Sequence, residues 1–392
     1  MKKEWLAAMA LILLSRCIAF AAQIAEMPFV PLSPAVMGRG DCAIATAQGY
    51  DAFFYNPAGF SRGNGEFMLT SATSWVYARP DQLIWQGVLL ALGRTNPTAT
   101  FNFLNSQITS GGFGVGSAIG FGIVKGGFGL GAALILDSLL YGQTMLGMTG
   151  DLTATLGFIG GLSVPLYIAG MRVYVGGDVR PMIRIHAPIQ NASAIALTNA
   201  VANGTDIGAA LSSATAVYGS AVGLDLGIIG EVGWFSFGLS IRDLGGTTFA
   251  YSQNTLGSVA GALASQGSLP AGSPPSDAYV IPMDIGVGFS IHPDLGTFAY
   301  FLDPRLSMDF RNLVGTLQGS ALLWTAIHAG AEVRLFNLFV LRGGINQGYL
   351  TAGGGVKVSV FDVNFAVFTR ELGFYPGDQP NAGMAFNADI KT

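Results

Sequence analysis

Between Met171 and His186 the chain alternates residue by residue. Met171, Val173, Val175, Val179, Ile183 and Ile185 share one face, and Arg172, Asp178, Arg180, Arg184 and His186 share the other. A period of two marks a half-buried strand; on a helix the same charges would be scattered around the axis. The alternation returns over 298–311, where Phe298, Tyr300, Leu302, Leu306, Met308 and Phe310 oppose Asp303, Arg305, Ser307, Asp309 and Arg311. It returns again over 279–292, and near the end, where Ala382, Met384, Phe386, Ala388 and Ile390 oppose Asn381, Asn387, Asp389 and Lys391.

Extended along the chain, this pattern predicts strands at 67–77, 113–124, 127–140, 151–164, 171–186, 217–229, 232–243, 278–292, 298–311, 322–335, 337–346, 351–360, 362–372 and 382–390. These are about fourteen strands, an even number. Most reach the ten or so residues that a tilted strand needs to cross a bilayer. The longest connections, near 78–112, 187–216 and 244–277, follow odd-numbered strands, and those after even-numbered strands are tight. Such segregation of long and short loops belongs to a transmembrane antiparallel β-barrel, an all-β fold. Tyr77, Tyr141, Tyr167, Tyr218, Tyr279 and Tyr300 fall near strand ends, as an interfacial girdle requires.

Composition supports a membrane setting. Only 11% of the 392 residues are charged, against about 25% in soluble domains. Helices and closed barrels are the two structures that span a bilayer. The uncharged stretch 154–171 is long enough for a helix, but Gly157, Gly160, Gly161, Gly170 and Pro165 interrupt it. A net charge of -4 offers no basic surface for nucleic acid. Lys2 and Lys3, an apolar run over 5–14 and Ala19-Phe20-Ala21 read as a cleaved signal peptide, residues 1–21. Its removal leaves Cys42 alone, so no intrachain disulfide is expected.

Ahead of the first strand lies a segment too apolar for a linker. In 51–62, Phe53, Phe54 and Tyr55 run into Asn56-Pro57-Ala58-Gly59. Proline pushes Asn56 to extended backbone and pre-sets a turn that Gly59 is expected to finish. The stretch 37–62 resembles the N-terminal signature of the long-chain fatty acid transporter (FadL/TodX-type) family of outer-membrane proteins, through Gly38, Gly40, Ala43, Ala45, Asp51, Ala52, Tyr55, Asn56, Pro57, Ala58 and Gly59. The resemblance implies a fourteen-stranded barrel over 66–392, plugged by a hatch over 22–65. The expected hatch motif is Asp51, Phe54, Tyr55, Asn56, Pro57, Ala58 and Gly59. It further implies uptake of long-chain fatty acids or other hydrophobic compounds, with lateral exit into the membrane. The bacterial outer membrane, its lipids and its assembly machinery are then the setting and partners.

Within that frame Arg172, Arg180, Arg184 and His186 are candidates to meet a cargo carboxylate in the lumen. Gly127, Gly129 and Gly131 are the candidate wall kink, since glycine in a strand marks a bend or close approach. The apolar run 83–93 is a candidate outer capture site. No catalytic or metal constellation stands out, with three histidines in the chain and no His-Glu-x-x-His or Gly-x-Ser-x-Gly spacing. No enzyme activity, cofactor or metal is expected. The other readings open at this stage are a surface binding protein, a secretion partner and a general porin. The end at Thr392 departs from the aromatic terminus common in outer-membrane barrels.

Overall fold

The structure, a computed structural model, describes residues 23–79 and 96–392. Fourteen strands close into one barrel, and a fifteenth, Ala250–Thr255, extends the same sheet by pairing with residues 215–220. In chain order the fourteen are β1 (Glu66–Tyr77), β2 (Gly114–Lys125), β3 (Phe128–Tyr141), β4 (Thr149–Ile168), β5 (Met171–Ile189), β6 (Thr215–Val232) and β7 (Phe235–Arg242). The second half comprises β8 (Asp284–Ile291), β9 (Asp303–Phe310), β10 (Ile327–Leu335), β11 (Phe339–Asn346), β12 (Tyr349–Val358), β13 (Phe361–Glu371) and β14 (Pro380–Lys391). Every strand pairs antiparallel with its sequence neighbours, and β14 returns to β1, so no edge is left open.

All fourteen predicted strands are present, with shifted ends. The stretch predicted as one strand over 278–292 is two, because Pro282 has no N–H for the ladder; Ala278–Ile281 joins a small separate sheet with 23–25 and 247–248. The strand predicted from 298 begins at Asp303, after a 3₁₀ turn at Gly296–Tyr300, and the one predicted from 322 begins at Ile327 after a similar turn. Long connections cluster at one end, where helices Pro97–Ser110, Ala192–Asn203 and Leu256–Gln266 cover the rim. Two connections break the rule: 347–348 is tight at the long-loop end, and 292–302 is long at the short-turn end. Among the described residues no helix is long and apolar enough to cross a membrane.

The alternation sorts residues as expected on β5. Val175, Val179 and Ile183 are exposed outward, whereas Asp178, Arg180, Arg184 and His186 are buried inward. Apolar residues face lipid and polar ones the lumen, the inverse of a soluble core. The girdle reading needs correction. Tyr77 and Tyr279 turn inward and are buried, Tyr218 is on the outward face but covered by the long loop, its hydroxyl donating to the Pro270 carbonyl, and Tyr167 and Tyr300 are exposed at the short-turn end. The signal peptide and the run 83–93 lie outside the described residues.

Candidate functional site

The barrel's interior is filled by its own N-terminal segment. Phe29, Val36, Phe53, Phe54, Tyr55 and Phe60 belong to one buried cluster with Trp75, Tyr77 and Ile135 of the wall. Burying each such side chain is worth about 1.5–3 kcal/mol. The short helix Pro34–Met37 packs on β12 and β13, and the 3₁₀ turn Pro57–Ser61 packs on β4, β5 and β6 across the ring. The segment therefore spans the lumen.

Asn56 adopts the extended backbone its proline neighbour dictates, with φ -163°. Its fully buried carboxamide donates to the carbonyls of Ile44, Ile228 and Leu239 at 3.0, 3.3 and 3.2 Å, and accepts from the Ala58 amide at 3.1 Å. One side chain thus joins the segment to β6 and β7. Serines secure the rest: Ser240 donates to the Tyr55 carbonyl at 2.7 Å and Ser163 to the Ala58 carbonyl at 2.9 Å. Asp309 accepts from the amides of Ala43 and Ile44. Gly59 is needed for a reason other than turn closure. It has no positive φ, but a Cβ there would meet the Ala47 carbonyl oxygen at 2.6 Å. Burial holds the Asp51 carboxyl above the usual carboxylate range, against the opposing pull of Arg39 and Lys391.

Inward glycines on the wall make room for this packing. A Cβ at Gly176 would meet the Pro57 carbonyl oxygen at 2.5 Å, and one at Gly238 the Ile44 carbonyl oxygen at 2.6 Å. Gly129 and Gly131 belong to the same set: Phe60 and Phe53 fill the space beside them at 2.7 and 3.0 Å. The ladder from β2 through β3 to β4 runs without a register shift across Gly129 and Gly131. Gly127 sits in the turn before β3 with φ +86°.

Above the segment, toward the long-loop end, lies a cavity of 440 Å³. Phe29, Leu32, Met37, Trp75 and Ile135 belong to its apolar lining, Arg184, Arg242, Arg311 and Arg370 supply its cations, and Glu26, Asp41, Asp137, Asp243 and Asp284 line it as well. Among these cations, Arg242, Arg311 and Arg370 stand apart. Buried N–H groups on all three of these arginines lack a hydrogen-bond partner among the described residues. Arg370 also lies over the Tyr77 ring at 4.6 Å and Arg311 over Tyr55 at 5.4 Å, holding both guanidinium planes in place.

The four residues expected to meet a carboxylate are placed differently. Arg180 binds Asp225 and Asp243 at 2.8 and 3.1 Å. Arg184 binds Glu26 at 2.9 Å and stacks over Phe249 at 4.9 Å. His186 is held between Glu26 and Asp151 at 2.8 and 2.7 Å. Carboxylates of the chain itself therefore already occupy all three. Arg172 was expected on the lumen face but is exposed at the short-turn end, its guanidinium 5.6 Å from the Tyr167 ring. There the strand has passed beyond the packed interior. Of the four, only Arg184 lines the cavity.

On the lipid side the wall carries a depression of 510 Å³ across β4, β5 and β6, lined by Phe128, Gly160, Leu162, Gly177, Val179 and Leu226 among others. Its position coincides with a weak stretch of sheet. The β4–β5 ladder skips from Gly157–Met182 to Gly160–Val179, beside Pro181, which has no N–H to offer. Pairing of β6 with β7 stops at Leu226–Ile241, short of Ala221–Asp225. Between the depression and the cavity stand Asp178, Arg180, Asp225, Arg242 and Asp243. Both Asp178 carboxylate oxygens are buried without a hydrogen-bond partner among the described residues.

Sequence reasoning missed Glu26, Asp225, Asp243, Arg242, Arg311 and Arg370. The alternation over 298–311 put Arg311 on the polar face, which was the available signal; Glu26 precedes the first predicted strand, where no periodicity reports it, and Asp243 closes the strand predicted over 232–243 but lies just past its observed end at Arg242. Among the described residues no group of three or more His, Cys, Asp or Glu side chains is disposed to hold a metal.

No protein-family model matches the chain, and no curated protein matches it in sequence. Solved structures do. The monoaromatic hydrocarbon channel CymD superposes with TM-score 0.50 at 12% identity, covering 94% of this chain and 98% of its own. The toluene transporter TbuX of Ralstonia pickettii gives 0.48 at 12%, covering 92% and 98%. A FadL homologue from Pseudomonas aeruginosa gives 0.44 at 10%, covering 95% and 99%. The chain shares with CymD the fold of a closed fourteen-stranded barrel.

Proposed function

We propose that this chain is a bacterial outer-membrane channel, not an enzyme, that takes up hydrophobic compounds through a barrel closed by an N-terminal hatch. The observation that carries the reading is the pairing of a filled lumen with a partly apolar cavity on its long-loop side. A lumen filled by Phe53, Phe54 and Phe60 is a poor path for hydrated ions and sugars. A 440 Å³ cavity lined by Phe29, Leu32 and Trp75 instead removes apolar surface from water, at about 25 cal/mol per Å². CymD, which shares the fold, is a monoaromatic hydrocarbon channel.

Cargo bound there leaves sideways in this reading. The depression at Gly160 and Gly177, beside the interrupted β4–β5 ladder, supports an exit through β4–β6. The cluster of Asp178, Arg180, Asp225, Arg242 and Asp243 is then the gate, since it separates cavity from depression. An ion cluster at this place makes the closed wall specific while leaving its opening affordable, because desolvation offsets much of its attraction. Arg311 already binds Asp41 at 2.8 Å and Arg242 lies 3.7 Å from Asp225, so it is the buried Arg370 N–H without a hydrogen-bond partner among the described residues that suits a cargo with a carboxylate head, as in a fatty acid. Displacement of a fluorescent fatty acid from the purified protein tests the reading: unlabelled fatty acid should displace it and a disaccharide should not.

A further inference from the structure

At the short-turn end of the lumen, remote from the cavity, the wall and the N-terminal segment bring cations together in excess of their partners. Arg305 and Glu332 are register partners on β9 and β10, and Glu332 and Arg342 on β10 and β11. Glu332 is nonetheless committed elsewhere: it binds Arg342 at 2.7 Å and Arg39 of the segment at 3.7 Å. Arg334 reaches Asp303 only at 3.9 Å, while Asp303 binds His292 at 2.6 Å. The Nε of Arg334 is buried without a hydrogen-bond partner among the described residues. Arg305 makes no ion pair among them; Glu332 on the neighbouring strand attracts it, and Arg39, Arg62 and Arg334 lie near enough to repel it. Arg62 itself is held by Glu231 at 2.7 Å.

Five arginines (39, 62, 305, 334 and 342) thus share three ion-pair partners, Glu231, Asp303 and Glu332, with Asp51 and Asp362 acting on Arg39 and Arg342 from farther off. A crowded guanidinium with unmet N–H donors in a half-buried setting is costly without a counter-ion. We propose that this mouth binds a phosphate-type oxyanion, bridging Arg305 and Arg334 of the wall to Arg39 of the N-terminal segment. Arginine forks fit a tetrahedral oxyanion with paired N–H groups, which a lysine cluster would not do. Chloride offers no such bidentate geometry. The ion is either free inorganic phosphate or the phosphate of a lipid headgroup; the chemistry is the same. The site does not depend on the uptake reading, because no part of the cavity or the wall depression contributes to it. Bridging wall to segment, the bound ion also orders the segment.

The test uses the full chain, purified in zwitterionic detergent, titrated with inorganic phosphate against chloride at matched ionic strength. Saturable heat of binding with phosphate alone, and slower hydrogen exchange over residues 39–62, are the expected results. Arg305→Gln and Arg334→Gln should each weaken binding about tenfold, as loss of one charge-assisted partner does. Arg172→Gln, at an exposed arginine on the same rim, should leave it unchanged. Vesicles containing phosphatidylglycerol that compete with inorganic phosphate would identify a headgroup as the ligand, and vesicles that do not compete would identify the free ion; either result supports the oxyanion site. Equal effects of phosphate and chloride, or unaltered binding by both Arg305 and Arg334 variants, would overturn it.

Discussion

The Asn56 carboxamide occupies the space that a side chain at Gly227 would fill. The relationship is reciprocal: Asn56 bonds to the carbonyl of Ile228, next to that glycine, and to Leu239 on the adjoining strand. Gly227→Ala should therefore displace the carboxamide while leaving the barrel closed. Overpacking of this kind costs about 1–3 kcal/mol. Hydrogen exchange over residues 44–60 should quicken about tenfold, with strand amides unchanged; a uniform response across the barrel would contradict the local account.

Asn56→Ala removes the donor shared by three carbonyls and creates no overlap. Leaving such groups without their buried partner costs about 1–3 kcal/mol. In planar bilayers the variant should show brief conductance openings that the parent protein lacks. A silent variant would mean that the aromatic packing of Phe53, Phe54 and Phe60 alone holds the segment.

Gly160 is the most direct handle on the wall. A Cβ there meets only the Leu130 Cδ1, at 3.9 Å, so a large residue is accommodated and projects into the lipid-side depression. Gly160→Trp should lower uptake of a fatty acid into liposomes at least tenfold and leave binding to the detergent-solubilised protein intact. Undiminished uptake would remove β4–β6 as the exit.

The cavity arginines bear on cargo class. Arg370→Gln removes a cation that stacks on Tyr77 and has an N–H without a partner. Fatty acid binding should weaken about tenfold while toluene binding is unchanged, since only the former presents a carboxylate. Equal weakening of both would assign Arg370 to packing.

What the sequence disclosed follows from periodicity. Strand number, order and facing were legible because Val175, Val179 and Ile183 must meet lipid while Asp178, Arg180 and Arg184 must not. The segment over 37–62 was legible from Asn56-Pro57 and its aromatics. Partners were not. Whether Arg184 is available to cargo depends on Glu26, 158 residues away in sequence, and no local pattern encodes that meeting. The same holds for Gly129 and Gly131, where a glycine that admits a ring and one that permits a kink read alike.

The central claim is selective passage of apolar cargo through a hatch-closed barrel. Its most direct test is uptake into liposomes holding the purified chain, with a labelled long-chain fatty acid and a labelled small sugar measured side by side. The account predicts fatty acid entry without sugar entry, and admission of the sugar once Asn56 is replaced by alanine. Sugar entry through the unaltered protein, or exclusion of both compounds, would contradict it.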